Sequence, residues 1–405
     1  MRVLIVSNTE IMHSQAWINL FENDEEFDVR VFAHNLVVEG VYLPQKWKKP
    51  TYVLEHPRIH KENRKIISLF PDSRYAKFFS TRMIHRMPLN NWYLQRAIKQ
   101  WKPDVVHSLS LLPVSYFTWQ ALRKIKNRRP FFVVSSWGSD INLGKDHTQE
   151  KLQIKDILND CDGFIGDCER DVGNALKLGL IAEKLAFNFA VPVTGGIDLD
   201  KKTDGFLPVE KRNVILLPKA YEGFENKLLP VLEALNMLGD KLEGFEIHLL
   251  MTSEDVKRYL SLMPDAFKKR CRVHAQLTTD EISDLMKRTR IMVAPSISDG
   301  TPMTLLEAMS VGTFPVVSPL ESIKEWIEDG KNGLLTHALY PDKIAGAVQR
   351  ALTDDEMLNS AAIINREIIK KRADRKLLQP KIMNYYKSLL NEKNKNAGRS
   401  EADFS

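Results

Sequence analysis

The sequence predicts an α/β chain built from two doubly wound domains, and three observations predict it. The first is length: 405 residues exceed what one hydrophobic core supports, so two domains of somewhat under 200 residues each are expected. The second is rhythm, in which short β-branched and apolar runs alternate with segments of helical period, the pattern of parallel strands joined by crossover helices. The third is a break in that rhythm between residues 187 and 212, where Val191-Pro192-Val193-Thr194-Gly195-Gly196-Ile197-Asp198 precedes a charged stretch and reads as a linker. The composition, 43% hydrophobic and 27% charged, is that of an ordinary globular protein.

Taken in order, Val3 to Val6, Val29 to Phe32, Val105 to Ser108, Phe131 to Ser135 and Gly163 to Gly166 read as the strands of the first domain, residues 1–196. Val214 to Leu217, Glu246 to Met251, Ile291 to Pro295 and Phe314 to Val317 read as those of the second, residues 197–374. An amphipathic segment over 375–394 is expected to form a helix that packs back on the first domain. The polar stretch 395–405 has almost nothing to bury and is expected to be disordered.

Net charge is +6, and its distribution says more than its sum. Residues 41–130 hold 19 Lys or Arg against 4 Asp or Glu, a local balance of 19 − 4 = +15. Within that stretch Lys46, Trp47, Lys48 and Lys49, then Arg74, Tyr75, Lys77, Phe78, Phe79, Arg82, His85 and Arg86, interleave basic and aromatic side chains, as surfaces that touch anionic lipid do. A solvated basic face without a partner is the alternative. No nucleic-acid module accompanies the charge, so nucleic acid is not expected as a partner. No run approaches the roughly 20 apolar residues that span a bilayer, and the opening residues do not form a signal peptide, so the expected location is the cytoplasm, at most peripheral to the inner face of the membrane. Cys161, Cys168 and Cys271 are expected to be reduced and structural.

The strongest constellation lies in residues 291–319. A buried strand delivers the chain to Pro295 and Ser296, a polar loop follows, and Thr301 can cap a helix that has Pro302 at its first position and Gly312 just past its end. The amides near Met303, Thr304 and Leu305 would face the carboxyl end of the strand, where a doubly wound sheet opens its ligand crevice and a helix N-terminus attracts phosphate. Asp299 stands before this helix and Glu307 about a turn and a half inside it, roughly 8 to 12 Å apart at a rise of about 1.5 Å per residue. Two carboxylates would then bracket one anion site, each able to accept a pair of hydroxyl hydrogen bonds, which suits a diphosphate with a sugar at one end and a ribose at the other. The bland reading makes Asp299 a turn residue and Glu307 a solvent-facing one.

On these residues the sequence resembles the retaining glycosyltransferases of family four, which adopt the GT-B fold of two Rossmann-like domains facing across a cleft. The family's Glu-x7-Glu motif stands here with Asp299 as first acid and Glu307 as second, inside a segment in which Gly300, Pro302, Leu306, Ala308 and Gly312 also fit. The resemblance implies a nucleotide-sugar donor, a glycan or lipid-linked acceptor, retention of configuration, no metal and no separate cofactor. It implies that Asp299 holds the donor sugar's hydroxyls, that the amides following Gly300, from Thr301 to Leu305, hold phosphate, and that Glu307 holds the ribose. Asp for Glu at 299 shortens the reach by about 1.5 Å.

Supporting sites follow. The loop after Val214 to Leu217 offers Lys219 and Lys227, two cations near a strand's carboxyl end that would neutralise a leaving diphosphate. The family carries a basic pair there, usually Arg and Lys. In the first domain, Trp137, Gly138, Ser139 and Asp140 leave a strand in a turn; Asp140 is either a contact to an acceptor hydroxyl or reacting sugar, or a cap. In many family members a histidine precedes this glycine, and here Trp137 replaces it. Asn8 and His13 flank the first strand's exit and complete the candidate cleft residues. Gly195 and Gly196 permit a tight path at the linker. Asp160 with Asp162, and Asp198 with Asp200, are poorly placed for a metal cluster, and none is assigned.

Two other readings stay open: a nucleotide-sugar epimerase of the same build, and a degenerate relative that binds nucleotide sugar without turnover. A dinucleotide dehydrogenase is disfavoured, since no G-x-G-x-x-G follows Val3 to Val6.

Overall fold

The computed structural model describes residues 1–9, 11–34, 50–53, 66–68, 89–126, 128–200 and 207–402. The chain divides into two compact units, Met1–Gly195 together with Leu378–Ser405, and Gly196–Leu377.

The first unit holds a parallel sheet ordered β4-β3-β2-β1-β5-β6-β7. Its strands are β1 (Arg2–Ser7), β2 (Asp28–Ala33), β3 (Thr51–Val53), β4 (Ile66–Ser68), β5 (Val105–Leu109), β6 (Phe131–Ser135) and β7 (Gly163–Ile165). The five expected strands are all present, and β3 and β4 were not expected: three residues each at the sheet's edge show no period to read. One face of the sheet packs on Leu94, Ile98, Trp119, Leu122, Ile154 and Leu158. The other packs on Trp17, Phe21, Phe27, Leu378, Ile382 and Tyr386, so the last helix supplies part of this unit's core.

That helix, Arg375–Ala402, continues past Asn394 through most of the stretch expected to be disordered. Helical hydrogen bonds are satisfied within the segment, so the helix can run on where nothing is left to bury.

The second unit holds a parallel sheet ordered β10-β9-β8-β11-β12-β13, formed by β8 (Val214–Leu217), β9 (Glu246–Leu249), β10 (Cys271–Val273), β11 (Thr289–Ala294), β12 (Phe314–Val317) and β13 (Leu334–Leu335). Again the expected strands are present, and the two unexpected ones, β10 and β13, are short edges. Counted in chain order the sheet runs 3-2-1-4-5-6, and the order reverses between β8 and β11, the place where such sheets open a ligand crevice at their carboxyl ends. In the first unit the reversal falls between β1 and β5.

Gly195 and Gly196 both adopt positive φ, +68° and +103°. At Gly196 a Cβ would stand 2.7 Å from the carbonyl oxygen of Ala373, so a side chain is excluded there on space as well as on conformation. The following residue, Ile197, donates its amide to Ala373 at 2.7 Å and accepts from the amide of Arg375 at 2.9 Å.

Among the described residues no helix is long and apolar enough to cross a membrane. The basic and aromatic residues that suggested a lipid-facing surface, Lys46 to Lys49 and Arg74 to Arg86, lie outside the described residues.

Candidate active site

The second unit's site is built at its reversal point. β8 ends at Leu217 and β11 at Ala294, adjacent strands whose following loops are stitched together. Asn226 pairs with Ser296 across an antiparallel bridge, and the amide of Ile297 donates to the carbonyl of Glu225 at 2.8 Å. The Asn226 amide nitrogen, buried, donates to the carbonyls of Lys219 and Tyr221 at 2.8 and 2.7 Å, which curls the β8 loop back on itself. The result is that Lys219 and Asp299 form an ion pair, both only partly exposed, at 23% and 19%. Burial works against the lysine's charge, and the Asp299 carboxylate beside it prevails, so the Lys219 pKa is raised. The Asp299 carbonyl accepts from the Ser322 hydroxyl at 2.9 Å, which anchors the loop from behind. Lys227 does not join this pair; its nearest acid is Glu222, at 3.9 Å.

The helix spans Met303–Ser310, with Pro302 at the capping position and no side-chain cap. The expected cap, Thr301, is therefore one residue too early: it is buried, and the Pro302 carbonyl instead accepts from the amides of Leu305 and Leu306, at 3.0 and 3.2 Å. Proline at 302 supplies the extended ψ of a cap and has no N–H to satisfy. The end is as expected in kind: Gly312, at φ +70°, donates to Met309, and Thr313 donates to Ala308 at 2.9 Å. Gly300 and Thr301 precede this N-terminus and Met303, Thr304 and Leu305 form its first turn. The Thr304 hydroxyl is buried without a hydrogen-bond partner among the described residues.

Glu307 is half-buried and lies within electrostatic range of Arg375, a cation that the sequence reading did not assign to the site. Burial lowers the Arg375 pKa, and Asp198 and Glu307 oppose that effect. Arg375 also donates to the Gly196 carbonyl at 3.0 Å. A signal was present: the last helix begins Arg375-Lys376 with no acid in its first turn, an unfavourable charge for a helix N-terminus unless a partner compensates.

In the first unit, His13 lies in the helix Met12–Asn19, and its ring meets Trp137 edge-on, centroids 6.0 Å apart. Asn8 directly follows β1. Trp137 and Gly138 (φ +78°) form the turn after β6, Ser139 opens the short helix Ser139–Gly144, and Asp140 in that helix's first turn holds the arrangement. One carboxylate oxygen of Asp140 accepts from the amides of Trp137 and Ile141 at 3.0 and 2.8 Å, and the other from the amide of Leu111 at 2.6 Å. Burial and the neighbouring Asp171 push the Asp140 carboxyl up to about 7 against those three donors. The geometry thus gives Asp140 a structural task, tying the turn after β6 to the segment after β5.

The paired acids of the sequence are also accounted for. Asp160 receives a bidentate guanidinium from Arg129, Asp162 accepts from the Phe132 amide at 2.7 Å, and Asp200 pairs with Lys376. Among the described residues, Asp167, Cys168 and Asp171 bring ligand-type atoms within 4.8 Å of one another, all buried. Arg170 lies 2.8 Å from Asp171 and already supplies the cation there. All three cysteines are free thiols.

Residues 207–368, most of the second unit, match the family model of glycosyl transferases group 1. The alpha-maltose-1-phosphate synthase of Mycolicibacterium smegmatis is 29% identical over 101 residues, 24% of this chain and 26% of that protein. An uncharacterised glycosyltransferase of Methanocaldococcus jannaschii is 36% identical over 75 residues, 18% of this chain and 19% of that protein. The chain therefore matches only about a quarter or less of the length of these curated relatives. Among solved structures, Anabaena HepE in complex with UDP and glucose superposes with a TM-score of 0.68 at 13% identity, covering 96% of this chain and all of that one. The sucrose-phosphate synthase of Thermosynechococcus elongatus gives 0.68 at 15% identity, covering 97% of this chain and all of that one. These likenesses show the fold, which is that of GT-B glycosyltransferases.

Proposed function

We propose that the protein is a glycosyltransferase that moves a sugar from a nucleotide-sugar donor to a glycan or lipid-linked acceptor, with its second unit as the donor-binding one. The observation that carries the reading is the Lys219–Asp299 pair at the reversal point of a sheet whose following helix, Met303–Ser310, points its N-terminus from the same loop. The match of residues 207–368 to glycosyl transferases group 1 supports it, as does the binding of UDP and glucose by HepE.

In this reading the pyrophosphate lies against the amides that open the helix, with fixed dipoles aimed at charge that grows as the glycosidic bond breaks. Lys219, held by Asp299 in one position, adds a unit charge at no cost of reorganisation, and Lys227 adds a second. Asp299 accepts from the sugar's hydroxyls and Glu307 from the ribose, with the Arg375 cation within electrostatic range of Glu307. Bond cleavage leaves the nucleoside diphosphate as leaving group, and the sugar passes to the acceptor with its configuration retained. Pathway, base and sugar belong to the acceptor and donor, and assembly of a surface glycan or polysaccharide suits a lipid-linked acceptor. Incubation with a panel of nucleotide sugars, with and without lipid-linked and glycan acceptors, tests the proposal by the nucleoside diphosphate released. Binding without release under all of these conditions overturns it in favour of a non-catalytic binder. Interconversion of the sugar nucleotide without release favours the epimerase.

A further inference from the structure

Beyond the donor loop the same sheet carries a second feature. A cavity of about 420 Å³ opens at the carboxyl end of β13, lined by Leu335, Thr336, His337, Tyr340, Asp342 and Lys343 among others. Its lining is mostly apolar and holds one unsatisfied polar group: Thr336 is 5% exposed, and its buried hydroxyl has no hydrogen-bond partner among the described residues. A buried hydroxyl left so is unfavourable, and a ligand hydroxyl or water offsets the loss. Its neighbour across the sheet repeats the pattern. Val317 and Leu335 are register partners and the Thr336 amide donates to the Val317 carbonyl at 2.8 Å, so Ser318, equally buried and equally without a partner, stands beside Thr336.

The rim supplies the complement. Tyr340 is 54% exposed, an unusual exposure for a large aromatic, and its ring is set edge-on against His337 at 5.9 Å. Asp342 and Lys343 follow at the start of the helix Pro341–Thr353, both mostly exposed and only 3.9 Å apart. A flat apolar ring face, a carboxylate that accepts two hydroxyls, an ammonium that donates and a buried hydroxyl are together the groups that recognise a pyranose, whose C–H faces are apolar and whose edge is hydroxylated.

We propose that this cavity is a glycan-binding subsite that takes a neutral pyranose unit, stacked on Tyr340 with its hydroxyls on Thr336 and Asp342. It lies two strands from β11, about 10 Å along the sheet at the usual strand spacing, and so is distinct from the donor loop. Sugar binding here does not depend on turnover, and its test is separate from that of the transferase reading.

Titration calorimetry of the full chain with maltose, cellobiose and chitobiose as probes is the test. At least one is expected to bind saturably with a Kd of about 1 mM, the scale of a small open site. Tyr340→Ala weakens that binding by about tenfold or more and Tyr340→Phe retains it. Thr336→Val, which removes the hydroxyl and keeps the shape, weakens it by about three- to tenfold. Asp299→Asn leaves it unchanged. Absence of binding by all three sugars overturns the proposal. So does wild-type affinity in Tyr340→Ala, or loss of binding in Asp299→Asn, which would place the sugar at the donor loop.

Discussion

Lys219 and Asp299 are 80 positions apart in the chain and meet because β8 and β11 are adjacent in the sheet. If the pair prepositions charge for the leaving group, Lys219→Ala lowers kcat for nucleoside diphosphate release by about 10²–10³, the usual loss for one preorganised electrostatic group. Lys219→Arg restores part of it; rates within about twofold of wild type in Lys219→Ala would remove the residue from the mechanism. Glu307→Ala is expected to weaken nucleotide binding, read by calorimetry with the free nucleoside diphosphate, and unchanged affinity removes Glu307 from the site. Asp140 is a different case. Asp140→Ala strands three backbone amides and is expected to cost about 2–4 kcal/mol in denaturant unfolding. Its raised pKa has a sign: the folded state holds the proton more tightly than the unfolded chain, so this group's contribution is fully present below pH 4 and is lost as pH rises toward about 7. The decline over that window is expected to vanish in Asp140→Asn, and its persistence would show that another group causes it.

At the scale of elements, the helix Met303–Ser310 is bounded by a proline and a glycine, and both boundaries follow from backbone chemistry rather than from packing. Gly312 sits at φ +70°, and a Cβ there would come within 3.0 Å of the Ala362 Cβ. Gly312→Ala is thus expected to destabilise the second unit by about 1–2 kcal/mol, measured as a shift in its unfolding midpoint. The loops on either side of the reversal point were legible in type but not in contact. Lys219, Lys227, Asp299 and Glu307 were all readable as candidates from residue type and spacing, yet Lys227 sits near Glu222 while Lys219 takes Asp299. That choice depends on Asn226 curling the loop, a side-chain-to-backbone bond that spacing does not announce.

At the scale of the whole molecule, the last helix returns to the first unit's core. Tyr386 is fully buried there; it accepts from the Trp17 indole N–H at 3.2 Å and bonds His107 Nδ1 at 2.6 Å, and His107 Nε2 bonds the Ser135 hydroxyl at 2.8 Å. Trp17 can only donate, so Tyr386 donates to Nδ1 and the Nε2–H donates to Ser135, which assigns a neutral histidine. Burial agrees, lowering the His107 pKa to about 3. Because the folded value is depressed, this histidine's contribution is present above about pH 6.5 and is lost as pH falls toward 3. Tyr386→Phe leaves Trp17 and His107 each short of a partner and is expected to cost about 1–3 kcal/mol and lower the Tm of the first unit, with the far-UV spectrum intact.

By itself the sequence determined the fold class, nine of the thirteen strands among the described residues, the place of the linker glycines and the bounded helix behind Asp299, because strand hydrophobicity, glycine conformation and proline chemistry act within a few residues of one another. The tertiary structure alone decided which cation meets Asp299, that Arg375 comes within electrostatic range of Glu307, that Asp140 is spent on three amides, and that Tyr386 completes a core begun 369 residues earlier at Trp17. These depend on strand order and on burial, which bring distant side chains into one low-dielectric place, and no local pattern encodes them.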